Sequence, residues 1–282
     1  MAAIHDITSS ATKAAAGNLT LLRKRGLATL RWGAVRAMQL FAGLAVWHLL
    51  VRALDVDPRV VPLPWDVLVS LHAQVASGWI FGALWLTLQE TLIGFVIGSV
   101  LGIGHAVVLS EFAMLRGLLQ PYIVALQAVP KVAVAPLFLI WFGFGIESKV
   151  ALVVSIMFFP VLVNTMAGLD SVSEDQLELM RVYRASRWQT LRRLKLYAAL
   201  PFIFASFEVC LVLSLTAAVI AEMLGSGTTI GLGTLIRIFE SRIDTAGIFA
   251  VLIVLSLLGV ALHAAVLIAQ RYLLSWQRAG SH

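Results

Sequence analysis

Long stretches of this chain run for 20 residues or more without a charged side chain. Glu90 and Glu111 enclose 20 such residues, Lys149 and Asp170 enclose 20, and Asp244 and Arg271 enclose 26. About 20 apolar residues in a helix cross the hydrocarbon core of a bilayer, where every backbone polar group must be satisfied internally. A shorter run of 15 between Arg36 and Arg52 reads as one more span. Two further apolar runs each contain a charge, Lys131 within 119–142 and Glu208 within 197–222. The expectation is an all-α integral membrane protein with about six spans, near 36–54, 83–109, 119–142, 150–169, 197–222 and 246–270. Composition agrees: 13% of the residues are charged, against roughly 25% in a soluble domain. Mean hydropathy is +0.93.

Lys and Arg orient the spans, because they concentrate on the cytoplasmic side. With the N-terminus inside, 15 of the 21 Lys and Arg fall on inner segments, five on outer ones, and Lys131 lies in the membrane. Both termini are therefore expected in the cytoplasm. The basic pI near 9.9 is explained by these anchors rather than by nucleic acid. The first 20 residues have no apolar core of signal-peptide type. Cys210 is the only cysteine, so no intrachain disulfide forms.

This places an unusually basic segment, RVYRASRWQTLRRLK (181–195), in an inner loop. Ser173 and Gln176 have the spacing of a capping box, in which a serine side chain caps the N3 backbone and a glutamine reaches back. Ser186 and Gln189 repeat it. Two short helices are expected, from about 174 to 184 and from 187 onward, with a bend near Arg184-Ala185. The loop is then a folded element, suited to bind acidic headgroups or to dock a cytoplasmic partner. Contact with nucleic acid is not expected of so short a loop between two spans. Elsewhere, Gly94, Gly98 and Gly102 recur every four residues, which puts them on one helical face where another helix can approach closely. The segment 55–67 reads as an outer loop broken by three prolines.

The inner loop resembles the EAA loop of membrane subunits of ATP-binding cassette importers: a short helix, a bend, ASRWQ (185–189), then ALP (199–201). LPWDV (63–67), TLQETLIGF (87–95), VPKVAVAPLFLIWFGFG (129–145), FFPVLVNTMAGL (158–169), AEMLGSGTTIGLGTLI (221–236) and the closing Trp276 extend the likeness in order over about residues 60–276. The set is similar to the branch containing permeases for sulfonates, taurine, nitrate and thiamine-precursor pyrimidines. The resemblance implies a type I importer permease fold. It divides the chain into a cytoplasmic tail (1–35), a first helix with its outer loop (36–80), a transmembrane core (81–271) holding the coupling loop 170–196, and a cytoplasmic tail (272–282). Three positions depart from the family pattern. The EAA triplet falls on Glu178-Leu179-Met180, the usual loop glycine is Arg184, and Thr87-Leu88-Gln89-Glu90 has acid where a base is usual. Because a left-handed backbone favours glycine, Arg184 suggests a tighter or helical bend.

The same resemblance implies what surrounds the chain: two ATPase subunits carrying ATP and Mg, a second permease copy in a homodimer, a periplasmic or lipid-anchored binding protein, and membrane lipid. Glu178, Met180, Arg181, Arg184, Ala185 and Ser186 would meet the ATPase, while Arg187, Arg192, Arg193 and Lys195 would face headgroups. No GxxxxGK[ST] occurs, and the glycine-rich segment 225–233 lacks the lysine of a phosphate cradle. The chain is therefore expected to bind no cofactor, hold no metal and catalyse no reaction. A charge inside a bilayer needs a partner or a cavity, which singles out Lys131, Asn164, Glu208 and Glu222 as candidates for the translocation path. Lys131 would attract an anionic solute or contact a carboxylate or backbone carbonyl. Glu208 would read N–H groups of a heterocycle or pair with Lys131. Glu222 would act as a gate or loop contact, and Asn164 would bond between helices. His105 and His263 read as neutral packing. The departures lean toward a pyrimidine, flavin or other aromatic solute, with sulfonate, taurine or nitrate as the alternative. A proton-driven secondary transporter using Glu208 and Glu222 is the rival; a membrane enzyme finds no supporting motif.

Overall fold

The computed structural model describes residues 35, 36, 38–225 and 229–274. Most of the expected N-terminal tail, Trp276 and most of the C-terminal tail lie outside the described residues, as does part of the glycine-rich segment. Among the described residues there are helices and no strands. The chain divides into two compact units, Met1–Asp66 and Val67–His282. The first unit contributes the apolar helix α1 (Met38–Ala53). Its Leu40, Phe41 and Leu49 are exposed, as a surface meant for lipid or another apolar partner requires.

Helix α2 (Pro64–Ala76) starts inside the segment expected as a loop. Its first residue is proline, whose fixed φ and missing N–H suit a first turn, and Asp66 lies in that turn, where the helix dipole favours acid. The remaining helices are α3 (Trp79–Glu111), α4 (Ala113–Ala128), α5 (Ala135–Phe142), α6 (Ile146–Leu169), α7 (Glu174–Val182), α8 (Arg187–Thr190), α9 (Leu196–Leu224), α10 (Leu232–Ser241) and α11 (Thr245–Leu273). A 3-10 turn, Lys131–Val134, leads into α5, and a π turn, Leu191–Lys195, joins α8 to α9.

Among the described residues four helices are long and apolar enough to cross a membrane: α3, α6, the continuous helix Arg187–Leu224, and α11. Helix α4 and the segment Lys131–Phe142 form an apolar helix pair bent by 84°, a fifth crossing if the two halves make one broken span and a re-entrant loop otherwise. The bend has a local cause. Pro130 has no N–H to continue the α4 ladder and pushes the preceding residue out of the helical region; Val129 accordingly takes φ −68°, ψ 127°. Helix α1, shorter than these, corresponds in position to the first of the six expected spans, so four or five of the six are long enough to cross.

The centre of the second unit is the packing of α3 on α6 and of α6 on α9. Gly94, Gly98 and Gly102 face α6, where Val153, Met157 and Val161 fill the space their missing side chains leave. A Cβ on Gly94 would stand 2.5 Å from that of Val153, and one on Gly102 would stand 2.9 Å from Val161 Cγ1. Gly168 of α6 gives α9 the same access: its Cβ would lie 2.7 Å from Ala199 Cα. In lipid, where burial of apolar surface does not drive helices together, such close backbone approach is what packing relies on.

Two residues used above to delimit spans lie within the protein. Glu90 is in the body of α3 and Lys149 in the first turn of α6, and both are fully buried. Lys149 is therefore not a loop charge and carries no weight in the count of outer positives.

Candidate functional site

The basic loop 170–196 forms the two helices that the capping boxes imply. In each, the serine side chain accepts from the N3 backbone N–H and the glutamine side chain accepts from the serine N–H, at 3.4 and 3.2 Å for Ser173/Gln176 and 3.2 and 2.8 Å for Ser186/Gln189. Between them the chain turns through Arg184, whose φ is 51°. The bend is thus neither helical nor an avoidance of the left-handed region. Ala185 N–H donates to Met180 O at 2.9 Å, and Arg184 N–H donates to Arg181 O at 2.9 Å. This pair of bonds is a Schellman closure, which satisfies two carbonyls at the end of α7 and requires a left-handed residue at Arg184. The hydrogen bonds outweigh the steric preference that favours glycine there.

Helix α7 presents Glu178, Arg181, Leu179 and Val182 to its surroundings, and Tyr183 and Arg184 are exposed beyond it. Met180 and Ala185 are half-buried, while Ser186 is spent on its cap. Leu191 is buried against α3 and α6 residues, so the loop's exit is seated in the core. Lys195 does not face outward as expected: its Nζ lies 2.9 Å from Glu111 Oε1 at the end of α3. Arg116 and Asp170 pair at 2.7 Å, tying the start of α4 to the end of α6. The basic loop is therefore attached to its neighbouring helices, and the 38-residue helix Arg187–Leu224 carries it without a break to the opposite end of the bundle.

At that opposite end sits a buried polar cluster that the spans conceal. Lys149 Nζ lies 3.2 Å from Glu90 Oε1 and 3.3 Å from Thr229 Oγ1. Glu222, fully buried on α9, accepts from Thr87 Oγ1 at 2.6 Å and from Gly233 N–H at 2.5 Å. Thr87 in turn accepts from Leu232 N–H at 2.9 Å. The first two backbone N–H groups of α10, orphans of any helix start, are thus satisfied by α3 and α9. Gly231 and Gly233 are required by close approach: a Cβ on Gly231 would collide with the Glu222 carboxylate, and one on Gly233 with Val219 O. Glu222 thus holds the start of α10 against α9. Sequence reasoning missed Glu90, Lys149 and Thr87. The signal was present as opposite charges bounding two neighbouring apolar runs.

Lys131 and Asn164 meet on a cavity of about 490 Å³, whose other polar lining comes from Gln127 and Thr216. Lys131 Nζ donates to Leu126 O at 2.6 Å and Gln127 O at 2.7 Å, and stands 5.0 Å from the centre of the Phe159 ring. These carbonyls belong to the last turn of α4, which has no intrahelical donors for them. Asn164 bonds within its own helix, Nδ2 to Pro160 O at 2.8 Å, and does not bridge helices as expected. Among the described residues Glu208 makes no ion pair with Lys131 and does not line this cavity. His105 Nδ1 lies 2.7 Å from Leu101 O and the ring packs edge-on to Phe158; His263 lines a separate groove between α9 and α11. No group of acidic, histidine or cysteine side chains among the described residues is arranged to hold a metal ion.

Comparison with known proteins fits this arrangement. The riboflavin transport system permease protein RibX of Chloroflexus aurantiacus is 32% identical over 256 residues, 90% of this chain and 95% of that protein. The formylaminopyrimidine transport permease protein ThiX of Halalkalibacterium halodurans is 32% identical over 235 residues, covering 83% and 92%. A putative aliphatic sulfonates transport permease protein, SsuC of Bacillus subtilis, is 30% identical over 248 residues, covering 88% and 89%. The fold matches a chain of the inward-facing MetNI methionine ABC transporter (TM-score 0.59, 17% identity, 75% of this chain and 98% of that one). It also matches a chain of a bacterial alginate ABC transporter in complex with its pentasaccharide-bound periplasmic protein (TM-score 0.57, 17% identity, 90% and 94%). A family model described as the binding-protein-dependent transport system inner membrane component matches residues 75–278. The chain belongs to that family, as a multi-pass inner-membrane permease subunit of an ABC importer for small solutes.

Proposed function

We propose that this chain forms the translocation path for a small heterocyclic solute, in the pyrimidine or flavin class, and that separate ATPase subunits drive it through α7. The observation that carries the drive-side reading is the continuous connection from the exposed α7 surface, through the left-handed turn at Arg184, into the helix Arg187–Leu224. Glu178, Arg181 and Arg184 supply charge, and Leu179, Val182 and Tyr183 supply exposed apolar area, the mixture that a protein groove rather than water would accept. A displacement of α7 would be transmitted to α6 through the short link 170–173 and to α9 through the hydrogen-bonded turn 183–186. Two permease copies, two ATPase subunits and a solute-binding protein complete the assembly; both termini lie in the cytoplasm, which the distribution of Lys and Arg supports.

The solute class is supported by the two relatives at 32% identity, whose names specify riboflavin and formylaminopyrimidine. The sulfonate alternative has its own support in the relative at 30% identity and in the positive charge of Lys131 on the cavity. ATP-energised uptake decides between them. Inside-out and right-side-out vesicles from the native membrane, supplied with radiolabelled uracil, riboflavin or taurine, should accumulate a ring compound only in the importing orientation. ATP-dependent uptake of taurine alone would transfer the assignment to sulfonates.

A further inference from the structure

Lys131 and Lys149 lie at spanning segments in opposite circumstances. Lys149 is sealed from solvent beside Glu90. Lys131 has no carboxylate within ion-pair distance among the described residues, and its ammonium borders the cavity between α4, α6 and α9. Two of its three hydrogens are committed to Leu126 O and Gln127 O, which leaves one donor for the cavity. Asn164 contributes the complement. Pro160 O can only accept, so the Asn164 nitrogen must face it, and Oδ1 is left as an acceptor with no donor among the described residues. The Gln127 side-chain amide, exposed on the cavity lining, offers two N–H donors and an acceptor. The remaining wall is apolar, including Phe159, Val163 and Leu213. A volume near 490 Å³ lies within the usual range for small-molecule sites.

From this arrangement we propose that the cavity is a solute-holding site of the permease itself, and that its ligand is a planar heterocycle with an imide or lactam edge. A ring carbonyl accepts from Lys131, a neighbouring ring N–H donates to Asn164 Oδ1, and the apolar wall covers the ring. The proposal deepens the reading of the chain as an importer of a small heterocycle and rests on it. The free acceptor sets the class. A sulfonate or nitrate presents only acceptors and would set an oxygen against Asn164 Oδ1 with no hydrogen between them. An imide edge alternates acceptor and donor and matches what the cavity presents.

Equilibrium binding tests this with the full chain, purified from its native membrane with its accompanying subunits and held in lipid nanodiscs. The probes are riboflavin, read by fluorescence, and radiolabelled uracil, with taurine and nitrate as competitors. At least one ring probe should bind. Losing one hydrogen bond in Asn164→Leu or Lys131→Met should weaken it about tenfold, while Lys131→Arg retains it and neither anion competes. Lys131 also caps α4, so Asn164→Leu and Gln127→Met, which leave that cap intact, keep the test valid if Lys131→Met fails to fold. Ring binding that is unchanged in all of these variants, or displacement by taurine that depends on Lys131, overturns the proposal. Undiminished ATP-driven uptake of a ring compound without any effect of these variants overturns the site and leaves the importer reading standing. Absence of ATP-driven uptake of any ring compound overturns both.

Discussion

Lys149 Nζ lies 3.2 Å from Glu90 Oε1, and neither side chain has any exposure to solvent. The pair joins α6 to α3 and adjoins Glu222, which holds the start of α10. Removing one member of a buried pair strands the other and costs roughly 3–5 kcal/mol. Lys149→Met should be the most damaging single change, because it leaves Glu90 and Glu222 without a cation. Glu90→Gln should be milder, and the double variant Glu90→Gln/Lys149→Met should recover part of the loss. Thermal unfolding of the three variants in one detergent checks the order; equal and additive losses would contradict the coupling.

Arg184 holds a left-handed backbone at a position where glycine carries no steric penalty. The conformation costs an L-residue roughly 1–2 kcal/mol, partly offset by the greater unfolded-state freedom of glycine. Arg184→Gly should therefore leave stability unchanged or raise it by up to about 1 kcal/mol. Arg184→Val, branched at Cβ, should lower it. Melting temperatures of the purified variants in one detergent distinguish them.

The capping boxes at Ser173 and Ser186 were legible in the sequence because each is a contact over three residues. The spans were legible because hydrocarbon excludes charge. Helices α2 and α10 were not, since both are short and neither contains a long apolar run. The Glu90–Lys149 pair escaped for a related reason: the rule that keeps charges out of spans is relaxed when a partner arrives from a distant segment, and tertiary packing alone brings it. Arg184 shows the same override at short range, where two backbone hydrogen bonds enforce a turn that residue preference argues against. Lys131 was legible as a cation in a broken span, and its two carbonyl partners follow from the carbonyls that Pro130 strands at the end of α4.

Crowding by α6 separates the glycines of α3 into two groups. Gly98 would place a Cβ 2.7 Å from Met157 Cγ, whereas Gly104 has open space. Gly98→Val should destabilise by about 1–3 kcal/mol, as overpacking does, and lower the yield of folded protein. Gly104→Ala should be silent or mildly stabilising. Size-exclusion profiles and melting temperatures of the two variants read the difference directly.

Gly231 abuts the Glu222 carboxylate. Gly231→Ala should displace that side chain and release Gly233 N–H and Leu232 N–H, freeing α10 from α9 and α3. Hydrogen exchange at Leu232 and Gly233 should rise in the variant while exchange in α7 stays as in the wild type. Protection equal to wild type at both residues would mean that the carboxylate does not hold the helix.

The most direct test of the account is co-purification of this chain from its native membrane, comparing the wild type with Glu178→Arg/Arg184→Glu. An ATPase subunit should accompany the wild type and be lost from the double variant, whose melting temperature stays close to wild type. A wild-type chain that purifies alone and still moves a solute into proteoliposomes without ATP would contradict it.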